Sequence, residues 1–222
     1  MWKNYSLIVW LVIIGLVMGG CQMGKGSERD IKPSEMKAED LPDVRALQDE
    51  FTRSFIESTE EVEPGYYSFL SGTKQYRMLF PKEGVIHQGY GVKEDQFEGF
   101  LMSTINDNGT DSQIKINYYA YATIESVEGG LEMLEGSVGQ KLEFEKVKAE
   151  TSELYYAPFQ FDSDTFGIAA LVASLKENGV IQIVYDTQCK KDQNECKQIK
   201  EEEVDKMIHW AESIEFVDKE IK

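Results

Sequence analysis

The chain has 222 residues and carries 40 acidic against 23 basic side chains, a formal net charge of −17. So large an excess of acid excludes a basic face for nucleic acid and repels anionic lipid headgroups. The apolar and aromatic content suffices for a sizeable core in one domain of ordinary size.

The N-terminus supplies a different route to a membrane. Met1 to Ser6 is short and basic through Lys3, Leu7 to Met18 has no polar side chain, and Gly19, Gly20 and Cys21 follow. That is the layout of a signal peptide. The apolar core would rise only about 18 Å as a helix, against a hydrocarbon layer of roughly 30 Å, so a permanent span is disfavoured. Small residues fit a peptidase pocket, and the thiol of a cysteine directly after them can carry a diacylglyceryl group before cleavage frees its amine. Met18-Gly19-Gly20-Cys21 therefore resembles the lipobox of bacterial prelipoproteins, with Met18 where leucine is usual. The resemblance implies a signal peptide over 1–20, lipidation of Cys21, and a mature lipoprotein on the extracytoplasmic face of the cell membrane. Two acyl chains, at about 0.8 kcal/mol per buried methylene, make dissociation negligible. Lys3 is the only charged side chain of the leader, so its removal takes the net charge from −17 to −18.

Residues 21–39 are polar without periodicity and read as a flexible linker of up to about 60 Å when extended. A single α+β domain is expected over 40–222. Asp40-Leu41-Pro42-Asp43 opens a helix by its N-cap acceptor, its proline and its first-turn acid. Leu41, Val44, Leu47, Phe51 and Phe55 give it one apolar stripe, and Glu63-Pro64-Gly65 ends it.

Strands are expected at Tyr66–Leu70 and at Tyr76–Phe80, the second stopped by Pro81. Phe97–Ile105 and Gln113–Ile124 read as a hairpin around Asn108-Gly109, a strong turn signal. Ile114, Ile116, Tyr118, Ala120, Ala122 and Ile124 fall on one face. Asn106, Asp107, Asn108 and Asp111 could gather oxygens around Ca²⁺, but no distal bidentate Glu stands at the EF-hand spacing, so no metal is expected.

Ser126 can cap a helix to about Lys141 with Val127, Leu131, Leu134 and Val138 buried. Its glycines match neither GxGxxG nor GxxxxGK[ST], and close approach to the sheet explains them better than phosphate binding. Glu153–Phe161, Thr165–Leu175 and Val180–Thr187 read as three more strands. The second, GIAALVAS, lacks a polar face and is expected at the centre. A last helix from about Glu201 turns Val204, Met207, Ile208 and Ala211 inward, and Ser213–Val217 leaves it as an edge segment. Cys189 and Cys196 are the only cysteines after Cys21. An even pair in an exported domain, separated by the turn-like KKDQNE, predicts a disulfide.

Hairpin-length links between most strands predict an antiparallel sheet covered by helices. Here the chain resembles the PsbP-like α-β-α sandwich group: a YRMLFP strand ending in proline, a mid-chain helix, a long final hairpin, and a C-terminal helix running into SIEF. The resemblance covers about Tyr66 to Val217. That group includes photosystem accessory proteins, a Ran-binding protein and bacterial lipoproteins, and what it implies is binding or assembly work with no reaction and no cofactor.

A search for chemistry agrees. His87 and His209 have no HxxxH or HExxH partner, neither GxSxG nor SxxK occurs, and the acid runs EEVE and EEE read as solvated faces. Two functions of different class are therefore carried forward. The first is a non-enzymatic module for a protein, peptide or envelope ligand; the second is an envelope-polymer hydrolase using paired carboxylates. Two close, buried acids in a cleft would favour the hydrolase, and an aromatic-lined face the binder. Adjacent tyrosines point to opposite sides of a strand. Tyr119 and Tyr121 are accordingly the candidate ligand-binding residues, set opposite the expected core face of their strand.

Overall fold

Apolar alternation along the chain builds strands that all pair antiparallel. The computed structural model describes residues 31–87 and 89–217; the leader 1–20, Cys21 and the first part of the linker lie outside the described residues. The strands are β1 (Tyr66–Leu70), β2 (Tyr76–Pro81), β3 (Val85–Ile86), β4 (Gly91–Lys93), β5 (Phe97–Ile105), β6 (Thr110–Tyr119), β7 (Glu145–Lys148), β8 (Ser152–Gln160), β9 (Thr165–Ser174), β10 (Val180–Cys189) and β11 (Glu215–Phe216). The α-helices are α1 (Arg45–Gln48), α2 (Val127–Val138) and α3 (Gln193–Glu212). A small sheet runs β1-β2-β11, and a large one runs β3-β5-β6-β10-β9-β8-β7 with β4 also on β5.

The large sheet is the middle layer. In β9 every residue after Thr165 is buried, because the strand lies between β8 and β10 and is covered on both faces, as its unbroken apolar run requires. Ala169, Leu171 and Ala173 meet Val127, Leu134 and Val138 of α2. Ile168, Ala170 and Val172 meet a larger core shared with Met207, Trp210 and Ala211 of α3 and with Phe69, Tyr76 and Phe80 of the small sheet. The expected α+β fold, an antiparallel sheet covered by helices, is thus the one observed. The Trp210 indole N–H donates to the Leu79 carbonyl at 2.8 Å, and the Leu79 N–H donates to Ser213 Oγ at 3.1 Å. These bonds lock α3 to β2 while satisfying the one polar atom of a fully buried indole.

Several elements differ from expectation, each for a local reason. The helix expected from Asp40 to Glu63 is cut to the single turn of α1 and a 3₁₀ turn at Thr52–Phe55. Asp49 breaks it: its carboxylate accepts from the Thr52 N–H at 2.8 Å while its own backbone turns extended, the local competition that keeps Asp out of helix interiors. Residues 31–39, read as linker, include a 3₁₀ turn at Pro33–Glu35 with Pro33 buried, and Met36 packs on the core. The last helix starts at Gln193, eight residues before the expected Glu201, because Asp192 caps it by accepting from the Asn194 and Glu195 N–H groups. β6 begins at Thr110 and ends at Tyr119, not Gln113 and Ile124, and Ile124 is exposed. Ser126 gives α2 no side-chain cap. Of the α2 glycines only Gly130 makes the close approach: a Cβ there would come within 2.5 Å of Leu171 Cδ1, while Gly129 and Gly136 face open space.

Candidate functional site

β6 divides the molecule. Ile114, Ile116 and Tyr118 are buried toward the small sheet and α3. On the opposite face, α2 packs chiefly on β9 and β10, and on β5 and β6 the outward residues Gln113 and Lys115 are exposed and Asn117 and Tyr119 half-buried. Phe97 pairs across the ladder with Tyr119. The Phe97 ring folds back over Gly99, where a Cβ would meet Phe97 Cζ at 2.7 Å and Asn117 Oδ1 at 3.0 Å. An aromatic side chain thus fills the gap that glycine leaves. The Phe97 and Tyr119 ring centroids are 5.4 Å apart, and those of Tyr119 and Tyr121 are 6.1 Å apart, edge to face. Tyr121 is 66% exposed.

The result is an aromatic strip running from β5 across β6 to the loop before α2. Burial, and then the neighbouring Tyr121, push the Tyr119 phenol above its ordinary value, so it stays a neutral donor at physiological pH. The other tyrosines are used differently. Tyr67, Tyr76, Tyr118 and Tyr185 are core, while Tyr155 and Tyr156 donate to Glu153 and Glu145 at 2.6 and 2.8 Å.

Three acids among the described residues, Glu98, Glu153 and Glu203, are buried. Glu98 is fully buried and accepts from the Gly72 N–H (3.0 Å), the Thr73 N–H (3.2 Å), the Thr73 hydroxyl (3.1 Å) and the Tyr90 hydroxyl (3.1 Å). It pins the β1–β2 turn to β5. A Cβ at Gly72 would lie 1.8 Å from the Tyr90 hydroxyl oxygen. Glu153 is bonded to Lys146 and Tyr155, and their hydrogen bonds hold its carboxyl below the usual range. Glu203 was expected on a solvated run, yet it is 3% exposed. Its spacing to Met207 and Trp210 follows the buried stripe of α3, the signal that would have revealed it.

The Asn106–Asp111 segment is a turn in which the Gly109 N–H donates to the Asn106 carbonyl at 3.2 Å, with Gly109 at φ 83°. Its side chains are engaged within the fold: Asn106 Nδ2 donates to Thr110 Oγ1 and Ser112 Oγ, and Asn108 Oδ1 accepts from Thr110. Among the described residues no group of three His, Cys, Asp or Glu is arranged to hold a metal. His87 Nε2 lies 2.7 Å from Ser103 Oγ and His209 Nε2 lies 3.0 Å from Glu63 Oε2, both at the surface. Cys189 and Cys196 are disulfide-bonded with Cα atoms 5.8 Å apart, joining the end of β10 to the first turn of α3. Cys21 lies outside the described residues.

The chain as a whole is similar to known proteins. A family model described as "Putative lipoprotein YvcA" matches residues 42–215. A Bacillus subtilis (strain 168) protein of the same description is 28% identical over 245 residues, covering 99% of this chain and 100% of that protein. Among solved structures, the Saccharomyces cerevisiae Ran-binding protein Mog1p superposes with a TM-score of 0.47 at 10% identity, covering 69% of this chain and 96% of its own. A cyanobacterial PsbP from Synechocystis sp. PCC 6803 superposes with a TM-score of 0.41 at 10% identity, covering 69% and 93%.

Proposed function

The chain belongs to the YvcA lipoprotein family, and from that premise we propose that it is a lipid-anchored binding module on the extracytoplasmic face of the cell membrane. In this reading Cys21 is the mature N-terminus and carries the acyl chains, and residues following it let the domain stand off the lipid. The domain works without a catalytic step, by holding a protein or envelope partner against the strip formed by Phe97, Tyr119 and Tyr121.

The observation that supports this reading is the incomplete cover of the large sheet. α2 serves β9 and β10, while β5 and β6 carry outward rings beside exposed polar side chains. Rigid rings with a polar tip offer contact area at low entropic cost, the composition of binding hot spots. The net charge of −17 favours a basic partner and a salt-sensitive association.

Two experiments test the proposal. Mass analysis of the N-terminal peptide should show an acylated Cys21, and Cys21→Ala should abolish processing and retention; unchanged retention would replace the lipid tether by an uncleaved anchor. In-cell crosslinking should capture a partner with the parent and lose it with Tyr119→Ser/Tyr121→Ser at matched folding. Identical capture would remove this surface from consideration.

A further inference from the structure

Away from the aromatic strip, a cleft of about 570 Å³ opens between the start of β1, the end of β2, the β5–β6 turn and α3. Glu203 forms part of its wall, with a side chain 5% exposed. Asn108 Nδ2 donates to Glu203 Oε1 at 2.8 Å, and Lys206 Nζ donates to the same oxygen at 2.7 Å. Both bonds fall on Oε1, so Oε2 is left without one. The Asn108 amide is held in this orientation because its Oδ1 accepts from the Thr110 N–H and hydroxyl at 3.2 and 2.9 Å.

Tyr66 and Tyr185 line the same cleft. Burial, and then the charge of Glu203, push the Tyr66 phenol above its ordinary value, which leaves a neutral oxygen able to accept a hydrogen bond beside the carboxylate. Glu61, Glu83, Asp107 and Glu203 face only Lys82 and Lys206 across the opening, so the cleft keeps a negative excess. Of these acids Glu203 is the one with a buried side chain, and its Oε2, which receives no bond from the fold, is open to a donor entering the cleft.

We infer that this cleft receives an alkylammonium group, as carried by a peptide lysine or a free aliphatic amine. The ammonium donates to Glu203 Oε2 and the Tyr66 oxygen, with its methylenes against the two rings, combining a charge-assisted bond with cation–π contact. An anion is repelled by the carboxylate excess, and a neutral apolar group leaves Oε2 unsatisfied. Lys206, more than half exposed, is the internal counter-ion that the ligand must share or displace. The site is separate from the aromatic strip, so either can fail without the other.

The test is titration of the folded protein with a Gly-Lys-Gly peptide blocked at both ends, its Nε-acetylated counterpart, and cadaverine, followed by amide chemical shifts and calorimetry. Saturable shifts at residues 104–108 and 203–206 with the lysine peptide, and none with the acetylated one, are expected. Cadaverine binding as tightly as the lysine peptide identifies a free-amine site; peptide binding at least ten-fold tighter identifies a peptide site. Glu203→Gln should weaken binding at least ten-fold, and Lys206→Met, which removes the competing ammonium at an exposed position, should tighten it several-fold. Should Glu203→Gln fail to fold, Lys206→Met and Tyr66→Phe decide: tightening by the first and weakening by the second are required. Equal binding of the acetylated peptide, no saturable binding of any amine, or affinity indifferent to these substitutions overturns the inference.

Discussion

The two faces of β6 are one residue apart in sequence and opposite in consequence. Ile114, Ile116 and Tyr118 close a core that the large sheet shares with the small sheet and α3, while Lys115, Asn117 and Tyr119 stand on the side where α2 serves β9 and β10 instead. The inward face holds the fold together; the outward face is the one that the proposed function gives to a partner. Stability and binding should therefore separate cleanly by the parity of the residue changed.

The largest break in that separation should come from Glu98, which points inward among its four donors. Glu98→Ala leaves the buried Thr73 N–H and hydroxyl without their acceptor and should cost about 3 kcal/mol in urea unfolding. Lys115→Ala, outward on the neighbouring strand, should stay within about 0.5 kcal/mol.

Glycines sharpen the contrast within the outward face itself. At Gly167, in β9, a Cβ would lie 2.0 Å from the Tyr185 carbonyl oxygen, which is backbone and cannot move aside. Gly167→Ala should cost about 3 kcal/mol. At Gly99 the nearest atom is the tip of the Phe97 ring, so Gly99→Ala should cost about 1 kcal/mol or less while tilting the strip and weakening partner capture. Thermal melts of the two variants compare them directly.

Next in size is the Cys189–Cys196 bridge. It closes a short loop with a sequence separation of 7, and Cys189→Ala/Cys196→Ala should cost about 2 to 2.5 kcal/mol on the chain-entropy account. The strip lies elsewhere, so capture by the folded fraction should be unchanged. The smallest effect belongs to Glu57, on the surface of the small sheet. Arg77 donates to both its oxygens at 2.8 and 3.0 Å, and this bond holds the Glu57 carboxyl below its ordinary value of 4.5. A lowered carboxyl contributes its stability above the unfolded value and loses it as pH falls through the folded one. Unfolding free energy should thus decline below about pH 4.5 by roughly 0.3 kcal/mol from this pair, because most of it is solvent-screened. Arg77→Met should remove that part of the slope.

What the sequence discloses follows the same division. Strict alternation in β6 and the unbroken GIAALVAS of β9 were readable, because period and polarity report which faces are covered. The Asn108-Gly109 turn and the cysteine pair were readable from turn chemistry and parity of number. The interrupted first helix was not, since Asp49 competes for the backbone through a bond that an apolar stripe does not register. β7, EKVK, is exposed along its length and so carries no apolar signal. Glu98 looked like any of the chain's acids, distinguished only by donors brought in from residues 72–73 and 90, whereas Glu203 carried a readable signal in its spacing to the buried stripe of α3.

The most direct test of the account is a site-specific photo-crosslinker in the living cell, installed at position 121 on the strip and, as a control, at Met133, an exposed position on α2. A discrete adduct from position 121 that disappears with Tyr119→Ser, with none from position 133, is the predicted result. An adduct of equal yield from position 133, or one from position 121 that survives Tyr119→Ser in a folded protein, contradicts the claim that the uncovered face of β5 and β6 is where this lipoprotein binds.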